Sequence, residues 1–289
     1  MSVLTAHVAL VSETSQITFK QLAPVAAALQ KQVTRDFGPL WQVNSTVDAF
    51  DSLDSVPVDY WPVIIRDDIN EPGAAGFHTD DQGQPFSLVQ FDADWSVTTS
   101  HETLEMLADP DGNRTVAGDP PPQLAETDNE LNLERVIYLV EVCDPCETIT
   151  YKSNGQRVSD FITPHYYDPD AGAHVRYSFR GKIQQPHQVL DGGYVSFGDP
   201  ATNNWYQIIV QDGNPQLREL GQLQAHRGTS LRELVDGRVR HIRADERYRL
   251  KPAAAVAAAA STASKEAVPF SVQSVARAKS LREFVRKLK

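Results

Sequence analysis

Two cysteines, Cys143 and Cys146, in 289 residues are too few for a fold built on disulfides. They point instead to a reducing compartment. No apolar run approaches the roughly 18–20 residues that a membrane-spanning helix requires. The opening Met1-Ser2-Val3-Leu4-Thr5-Ala6-His7 has neither a basic start nor a long apolar stretch, so no signal peptide is expected. Together these features predict a cytoplasmic location and no membrane partner. Basic residues are scarce as well: 27 Lys and Arg stand against 38 Asp and Glu, a net charge of −11. Nucleic acid is therefore not expected as a partner, because phosphate binding needs a basic face. Missing too are a Gly-x-Gly-x-x-Gly or phosphate-binding loop after a strand and a Gly-x-Ser-x-Gly nucleophile elbow.

What is present reads as an ordinary globular chain, 41% hydrophobic and 22% charged. His7–Val11 is short and apolar, a buried strand. Thr18 followed by Gln21 has the form of a capping box. Leu22, Val25, Ala26, Leu29, Val33 and Phe37 then recur at helical spacing, predicting a long helix over 19–37. Strands are expected over 41–50, 61–67 and, after a Gly-rich turn at Gly73 and Gly76, over 86–91. A helix follows over 97–108, capped by Asp94 or Ser96 and stopped by Asp109-Pro110-Asp111-Gly112. Leu133, Val136, Ile137 and Val140 suggest a further helix over 129–142. Strands and turns dominate afterwards, at 157–162, 175–179, 193–197 and 205–210. The expected class is α+β: a mixed sheet with a long backing helix, a second helix carrying polar residues, and a β-rich C-terminal half. Three parts follow: 1–115, 116–250, and 251–289, the last an alanine-rich linker (Ala253–Ala260) with a basic C-terminal helix.

The helix over 97–108 carries Ser100-His101-Glu102-Thr103-Leu104-Glu105. Residues four apart lie on one helical face, about 6 Å apart at Cβ, so His101 and Glu105 can reach one ion. Glu102 projects about 100° away. In the metalloprotease motif His-Glu-x-x-His the glutamate is the general base toward water on the metal. Here Glu105 replaces the second histidine, and a carboxylate still binds Zn²⁺. A catalytic zinc needs a third protein ligand and an open position. Glu141, 36 residues beyond Glu105, is the first candidate, with Asp160 ranked below it. Asp144 is placed to accept the free ring N–H of His101. Carboxylate-rich ligation leaves Mn²⁺ and Fe²⁺ open beside Zn²⁺.

This arrangement resembles the gluzincin branch of the zincin-like metallopeptidases, in which a later helix supplies a glutamate ligand and an aspartate orients the first histidine. The order of strand, long helix, strands and metal helix over residues 7–145 is similar to the zincin N-terminal half. The segments Ser100-His101-Glu102-x-x-Glu105-Met106-x-x-Asp109-Pro110, Glu141-Val142-x-Asp144-Pro145 and Val158-Ser159-Asp160-Phe161-x-x-Pro164 resemble a zincin-like group of bacterial and phage proteins. The resemblance implies a zincin-like fold and a peptide or protein substrate paired beside the metal helix, with 86–91 as the edge strand. It also implies zinc-dependent hydrolysis of an amide bond, with Glu102 as base and Tyr166, Tyr167 or His165 stabilising the oxyanion. The departure at Glu105 bears on activity more than on fold.

Other residues carry weaker signals. His78, in a Gly-rich segment, is placed either on a surface loop or facing the cleft. Cys143-x-x-Cys146 follows a predicted helix C-terminus, where the dipole disfavours a thiolate, so the thiols read as incidental. From Arg277 to Lys289 there are six basic residues and one acid, Glu283, a net +5 that leaves −16 on the rest. Ser280-Leu281-Arg282-Glu283-Phe284-Val285 repeats Ser230-Leu231-Arg232-Glu233-Leu234-Val235, which makes the tail a candidate docking element for a partner. The alternative to an enzyme is thus a non-catalytic structural or interaction protein on the same scaffold, docking through that tail.

Overall fold

A computed structural model describes residues 5–71, 73–172, 174–224, 229–249 and 270–287; the side chains of 243–249 and 270–278 are outside the description. The alanine-rich segment Ala253–Ala260 also lies outside it.

The first sheet comes from the N-terminal third. Strand β1 (Thr5–Ser12) leads into helix α1 (Phe19–Lys31). The Thr18 backbone N–H donates to Gln21 Oε1 at 3.0 Å, as the Thr-x-x-Gln pattern requires. The helix continues as a π-helical turn over Gln32–Phe37 and a short helix α2 (Gly38–Trp41), so the apolar stripe of 19–37 stays helical with its pitch widened at the end. Strands β2 (Asn44–Phe50), β3 (Tyr60–Arg66), β4 (Gly76–Asp81) and β5 (Gln84–Gln90) follow. They assemble in the order β2-β1-β3-β5-β4. All neighbours are parallel except β4, which runs antiparallel to β5 at the edge.

That edge corrects one expectation. Residues 86–90 belong to β5, one strand in, and the edge is Gly76–Asp81. The turn that reverses the chain is Gln82-Gly83, both at positive φ (53° and 78°), with the Gly83 N–H held by Asp80 Oδ2 at 2.5 Å. His78 accordingly stands in a strand, not in a loop.

Helix α3 (Trp95–Ala108) carries the His-Glu segment and packs against β5, β4 and β3. From Thr99 to Ala108 every residue but His101 is buried, so this part of the helix runs through the interior. Asp109 stops it: its carboxylate accepts the backbone N–H groups of Asn113 and Arg114 at 3.0 and 2.8 Å. Strands β6 (Thr115–Gly118) and β7 (Val136–Leu139) come next, then the hairpin β8 (Thr150–Ser153)–β9 (Gln156–Ser159). Strands β10 (Tyr194–Gly198), β11 (Asn204–Gln211) and β12 (Asn214–Gln222) complete a second sheet, all antiparallel, in the order β12-β11-β10-β7-β6. The helix expected over 129–142 is instead irregular chain followed by β7. β-branched Val136 and Ile137 suit a strand, and pairing with β6 and β10 satisfies their backbone. Residues 175–179 form no strand, only a single bridge between Ile162 and Ser178.

Both sheets share one core. Val8, Leu10, Leu29 and Phe37 lie in the same buried cluster as Phe161, Tyr166, Phe197 and Tyr206. A buried polar knot joins the layers beside the His-Glu segment. Gln32 Nε2 donates to the Ser159 carbonyl (2.9 Å), Ser100 Oγ donates to Gln32 Oε1 (2.8 Å), and the Ser159 N–H donates to Ser100 Oγ (3.0 Å).

Two more helices finish the fold, α4 (Leu231–Arg249) and α5 (Phe270–Lys287). The two copies of the repeated hexapeptide have different fates. Ser230 and Glu233 form a reciprocal cap at the start of α4: the Ser230 N–H donates to Glu233 Oε2 (2.9 Å) and the Glu233 N–H to Ser230 Oγ (3.1 Å). The second copy lies inside α5. There Leu281 and Val285 pack under Ala9, Val11, Ile64, Phe86 and Leu88 on the far face of the first sheet. Arg66 Nη2 donates to the Val285 carbonyl (2.6 Å), Arg282 to the Val56 carbonyl (2.7 Å), and Arg286 pairs with Asp54 (2.7 Å). The tail helix thus docks on its own chain, on a surface separate from that of α4. Among the described residues no helix is long and apolar enough to cross a membrane.

Candidate metal centre

The site grows from the burial of α3. One face of that helix turns His101, Glu102 and Glu105 toward the segment after β7, toward β4 and toward the first turn of α4. The loop after β7 brings Glu141, Cys143 and Asp144. The Cys143 N–H donates to Glu105 Oε1 at 3.1 Å, which fixes the Glu105 carboxylate. Strand β4 brings His78, and α4 brings Arg232. The first turn of α4 is seated on the loop that ends α3: the Leu231 N–H donates to Asn113 Oδ1 and the Arg232 N–H to the Gly112 carbonyl, each at 2.9 Å. Gly112 stands at φ +62° with Ser230 and Arg232 crowding where a side chain would begin, so glycine is required there.

Within this cluster His101 Nε2 lies 3.2 Å from Glu105 Oε2 and 3.1 Å from Asp144 Oδ1. His78 Nδ1 lies 3.7 Å from Glu102 Oε2 and 3.8 Å from Glu105 Oε2. The Arg232 guanidinium reaches Glu141 at 3.4 Å, Glu105 at 3.7 Å and Glu102 at 3.9 Å, and Nη1 donates to His78 Nε2 at 2.9 Å. His101 is the most exposed side chain of the group at 13%, so the cluster meets solvent on that side.

Four carboxylates gathered out of water are costly unless neutralised. The protonation equilibria register this. Burial, reinforced by Glu105, pushes the Glu141 and Asp144 carboxyls well above the usual range, and burial does the same to Glu102. Glu105 goes the other way. Burial alone would raise it, but His101 and the Cys143 N–H hold it below its ordinary value. Burial disfavours a charged His101, yet Glu105 and Asp144 outweigh that and carry its pKa well above normal. Burial and Glu105 raise the Cys143 thiol.

Despite this crowding, the hydrogen bonding is incomplete. Among the described residues Glu102 Oε2, Glu105 Oε2, both Glu141 oxygens, Asp144 Oδ1 and His78 Nδ1 are buried with no hydrogen-bond partner. Native interiors leave few such atoms, and here they converge on one place. Two overlapping triplets have ligand atoms within 4.8 Å of one another: His101–Glu105–Cys143 and His78–Glu105–Glu141. Buried imidazole and carboxylate groups without partners, beside a buried thiol whose Sγ donates only a long bond to the His101 carbonyl (3.8 Å), suit a divalent cation.

The expected triplet His101–Glu105–Glu141 is therefore divided, with Glu105 common to both halves and Glu141 gathered with His78. Glu102 borders the cluster, held against β4; a Cβ at Gly76 would lie 2.8 Å from its side chain. Asp144 sits against His101. Asp160 stands apart, accepting the Arg180 N–H at 3.0 Å, with burial raising its carboxyl to about 6. Tyr166 and Tyr167 are buried in a ring cluster with Tyr138 and His187, and Glu141 helps to raise the Tyr167 phenol after burial. His165 is exposed in the short turn Pro164–Tyr167 and belongs to neither metal-ligand triplet. Sequence reasoning passed over Arg232 and dismissed Cys143. The Ser-x-x-Glu cap marked a helix start at Ser230, but no local pattern reveals that the next arginine points into a carboxylate cluster. No protein-family model, no curated protein and no solved structure matches this chain.

Proposed function

We propose that the chain is a zincin-like, zinc-dependent hydrolase of amide bonds, with its cation at His101, Glu105 and Cys143. The observation that carries this reading is the set of buried acceptors without hydrogen-bond partners converging on Glu105. The succession of strand, backing helix, strands and polar helix agrees with the architecture the sequence resembles, and the antiparallel edge strand β4 offers backbone to an extended peptide. Imidazole, carboxylate and thiolate together favour zinc over harder ions. A zinc ion in such a site lowers the pKa of water and polarises a carbonyl.

The chain's own residues supply the rest. Glu105 and His101 grip from one helical face, and Asp144 Oδ1, 3.1 Å from the same Nε2 that faces Glu105, places a further carboxylate beside the ion instead of taking the other ring N–H. Glu102, whose carboxyl burial raises well above its usual range, takes a proton from the attacking water and returns it to the leaving amine. From the second half Tyr167, whose phenol is raised by burial and by Glu141, is the candidate to stabilise the oxyanion. The test is hydrolysis of a mixed peptide library, read by mass spectrometry, with Glu102→Gln as control. Cleavage lost in Glu102→Gln while metal content is kept supports the reading. Cleavage that persists in Glu102→Gln rejects Glu102 as the base.

A second reading has its own observation. Arg232 already neutralises part of the cluster, and every member except His101 is nearly sealed. That favours a non-catalytic interaction protein in which the ion is a staple. The same library gives no cleavage on that reading, while metal binding and stability still depend on Glu105.

A further inference from the structure

We propose that His78, Glu105 and Glu141 form a second divalent-cation position, adjoining the first through the shared Glu105, and that Arg232 of α4 masks it. The proposal rests on the metal-site reading above, not on hydrolysis. The three side chains come from three separate elements, β4, α3 and the loop after β7. They are 1%, 0% and 8% exposed, and their ligand atoms lie within 4.8 Å of one another. A charge cluster alone would not make a site. Here Glu105 Oε2, both oxygens of Glu141 and His78 Nδ1 are left without a hydrogen-bond partner in the interior, aimed at a common space.

Arg232 occupies the neighbourhood of that space without completing it. A guanidinium is a planar fork of five donors that pairs best with a carboxylate by two parallel bonds near 2.8 Å. Arg232 makes no such fork. Its contacts to Glu141, Glu105 and Glu102 are 3.4, 3.7 and 3.9 Å, and its Nε faces Asp236 of its own helix at 3.5 Å. It neutralises charge at a distance and leaves the acceptors open, as a substitute for a smaller cation would.

Its one close bond falls on the histidine. Arginine can only donate, so Nη1 at 2.9 Å takes the lone pair of His78 Nε2. The ring proton of a neutral His78 must then sit on Nδ1, facing Glu102 and Glu105. Neither ring nitrogen is free to ligate while Arg232 is in place. Withdrawing the guanidinium releases Nε2 and lets the tautomer switch, which frees either nitrogen. The seat of α4 holds Arg232 in: the Ser230–Glu233 cap, the bonds to Gly112 and Asn113, and Thr79 Oγ1 donating to Glu233 at 2.9 Å.

The test is metal stoichiometry on the full chain, stripped with chelator, reloaded with zinc alone, separated from free metal and read by mass spectrometry. Wild type, Arg232→Met and Arg232→Met/Glu141→Gln are compared. Methionine keeps an apolar stem and removes the charge. One zinc per chain in wild type, two in Arg232→Met and one again in the double variant is the expected result. One zinc in both wild type and Arg232→Met overturns the second position and leaves the first standing. Two in wild type overturns the masking by Arg232. None in any form overturns both readings. Should Arg232→Met lose its fold in chelator, zinc must restore it, because an ion bound only by the folded state stabilises that state. Failure of circular dichroism to recover at millimolar zinc then counts against the proposal.

Discussion

Replacing Leu281 by alanine tests whether the tail helix belongs to the folded core. Leu281 is 3% exposed and Val285 fully buried, both against the far face of the first sheet. A buried Leu→Ala change costs about 2–5 kcal/mol when the surroundings cannot collapse into the gap. Helix α5 has a second option. It is tied to the sheet by few elements, so once the damage exceeds its docking free energy it can leave the sheet instead. The loss is therefore capped by docking. Adding Val285→Ala removes two further carbon groups, worth about 1.5 kcal/mol if the helix stays in place. Urea denaturation followed by tryptophan fluorescence measures both variants, and limited proteolysis within α5 reports undocking. The expected outcome is a loss of at least about 2 kcal/mol for Leu281→Ala, in the range for buried leucines. The double variant either adds to it or reaches a plateau accompanied by rapid cleavage in α5. A loss below about 0.5 kcal/mol, the size of ordinary surface substitutions, would refute the docking.

Three further outcomes are expected. His187, stacked on Tyr138 at 4.8 Å, is held down to about 4 by burial. The unfolded chain, with its histidine near 6.5, then binds more protons between pH 6.5 and 4. Its contribution to stability is full above 6.5 and lost as pH falls, by at most about 1.4 kcal/mol per pH unit for one proton. His187→Phe should flatten that slope in urea titrations across this window, and an unchanged slope rejects the assignment. Arg232→Met in chelator takes the guanidinium away from Glu141 at 3.4 Å and Asp236 at 3.5 Å and should cost about 3–5 kcal/mol, as breaking a buried pair does. A thermal melt unchanged from wild type would contradict it. Gly76→Ala drives a Cβ to 2.8 Å from Glu102 and should cost about 1–3 kcal/mol by overpacking. Equal stability of the two proteins by urea titration would show that Glu102 is not held against β4.

The legible parts of the fold were those governed by local chemistry. The Thr18–Gln21 cap, the apolar stripe from Leu22 to Phe37 and the stop at Asp109 are nearest-neighbour effects, and their elements appear where the pattern puts them. Residues 133–140 misled because Leu133, Val136, Ile137 and Val140 fit a helical period, while the pairing of β7 with β6 and β10 is non-local and leaves no mark on spacing. The edge strand was misassigned for a similar reason: the Gln82-Gly83 reversal is short, and Gly73 and Gly76 drew the turn elsewhere. In the site, His101, Glu102 and Glu105 were readable because a helix fixes their relation. The partners from β4, from the loop after β7 and from α4 arrive through tertiary packing, so His78 was ambiguous and Arg232 was not foreseen.

Whether Glu105 anchors a bound cation is read from metal content. The protein is purified without a metal-binding tag, loaded with zinc, freed of excess and analysed by mass spectrometry beside Glu105→Gln and His101→Ala. Near one zinc per chain is expected in wild type, none in Glu105→Gln, and a strong reduction in His101→Ala. Wild type that takes up no zinc, or a folded Glu105→Gln that keeps it, would show that Glu105 anchors no zinc.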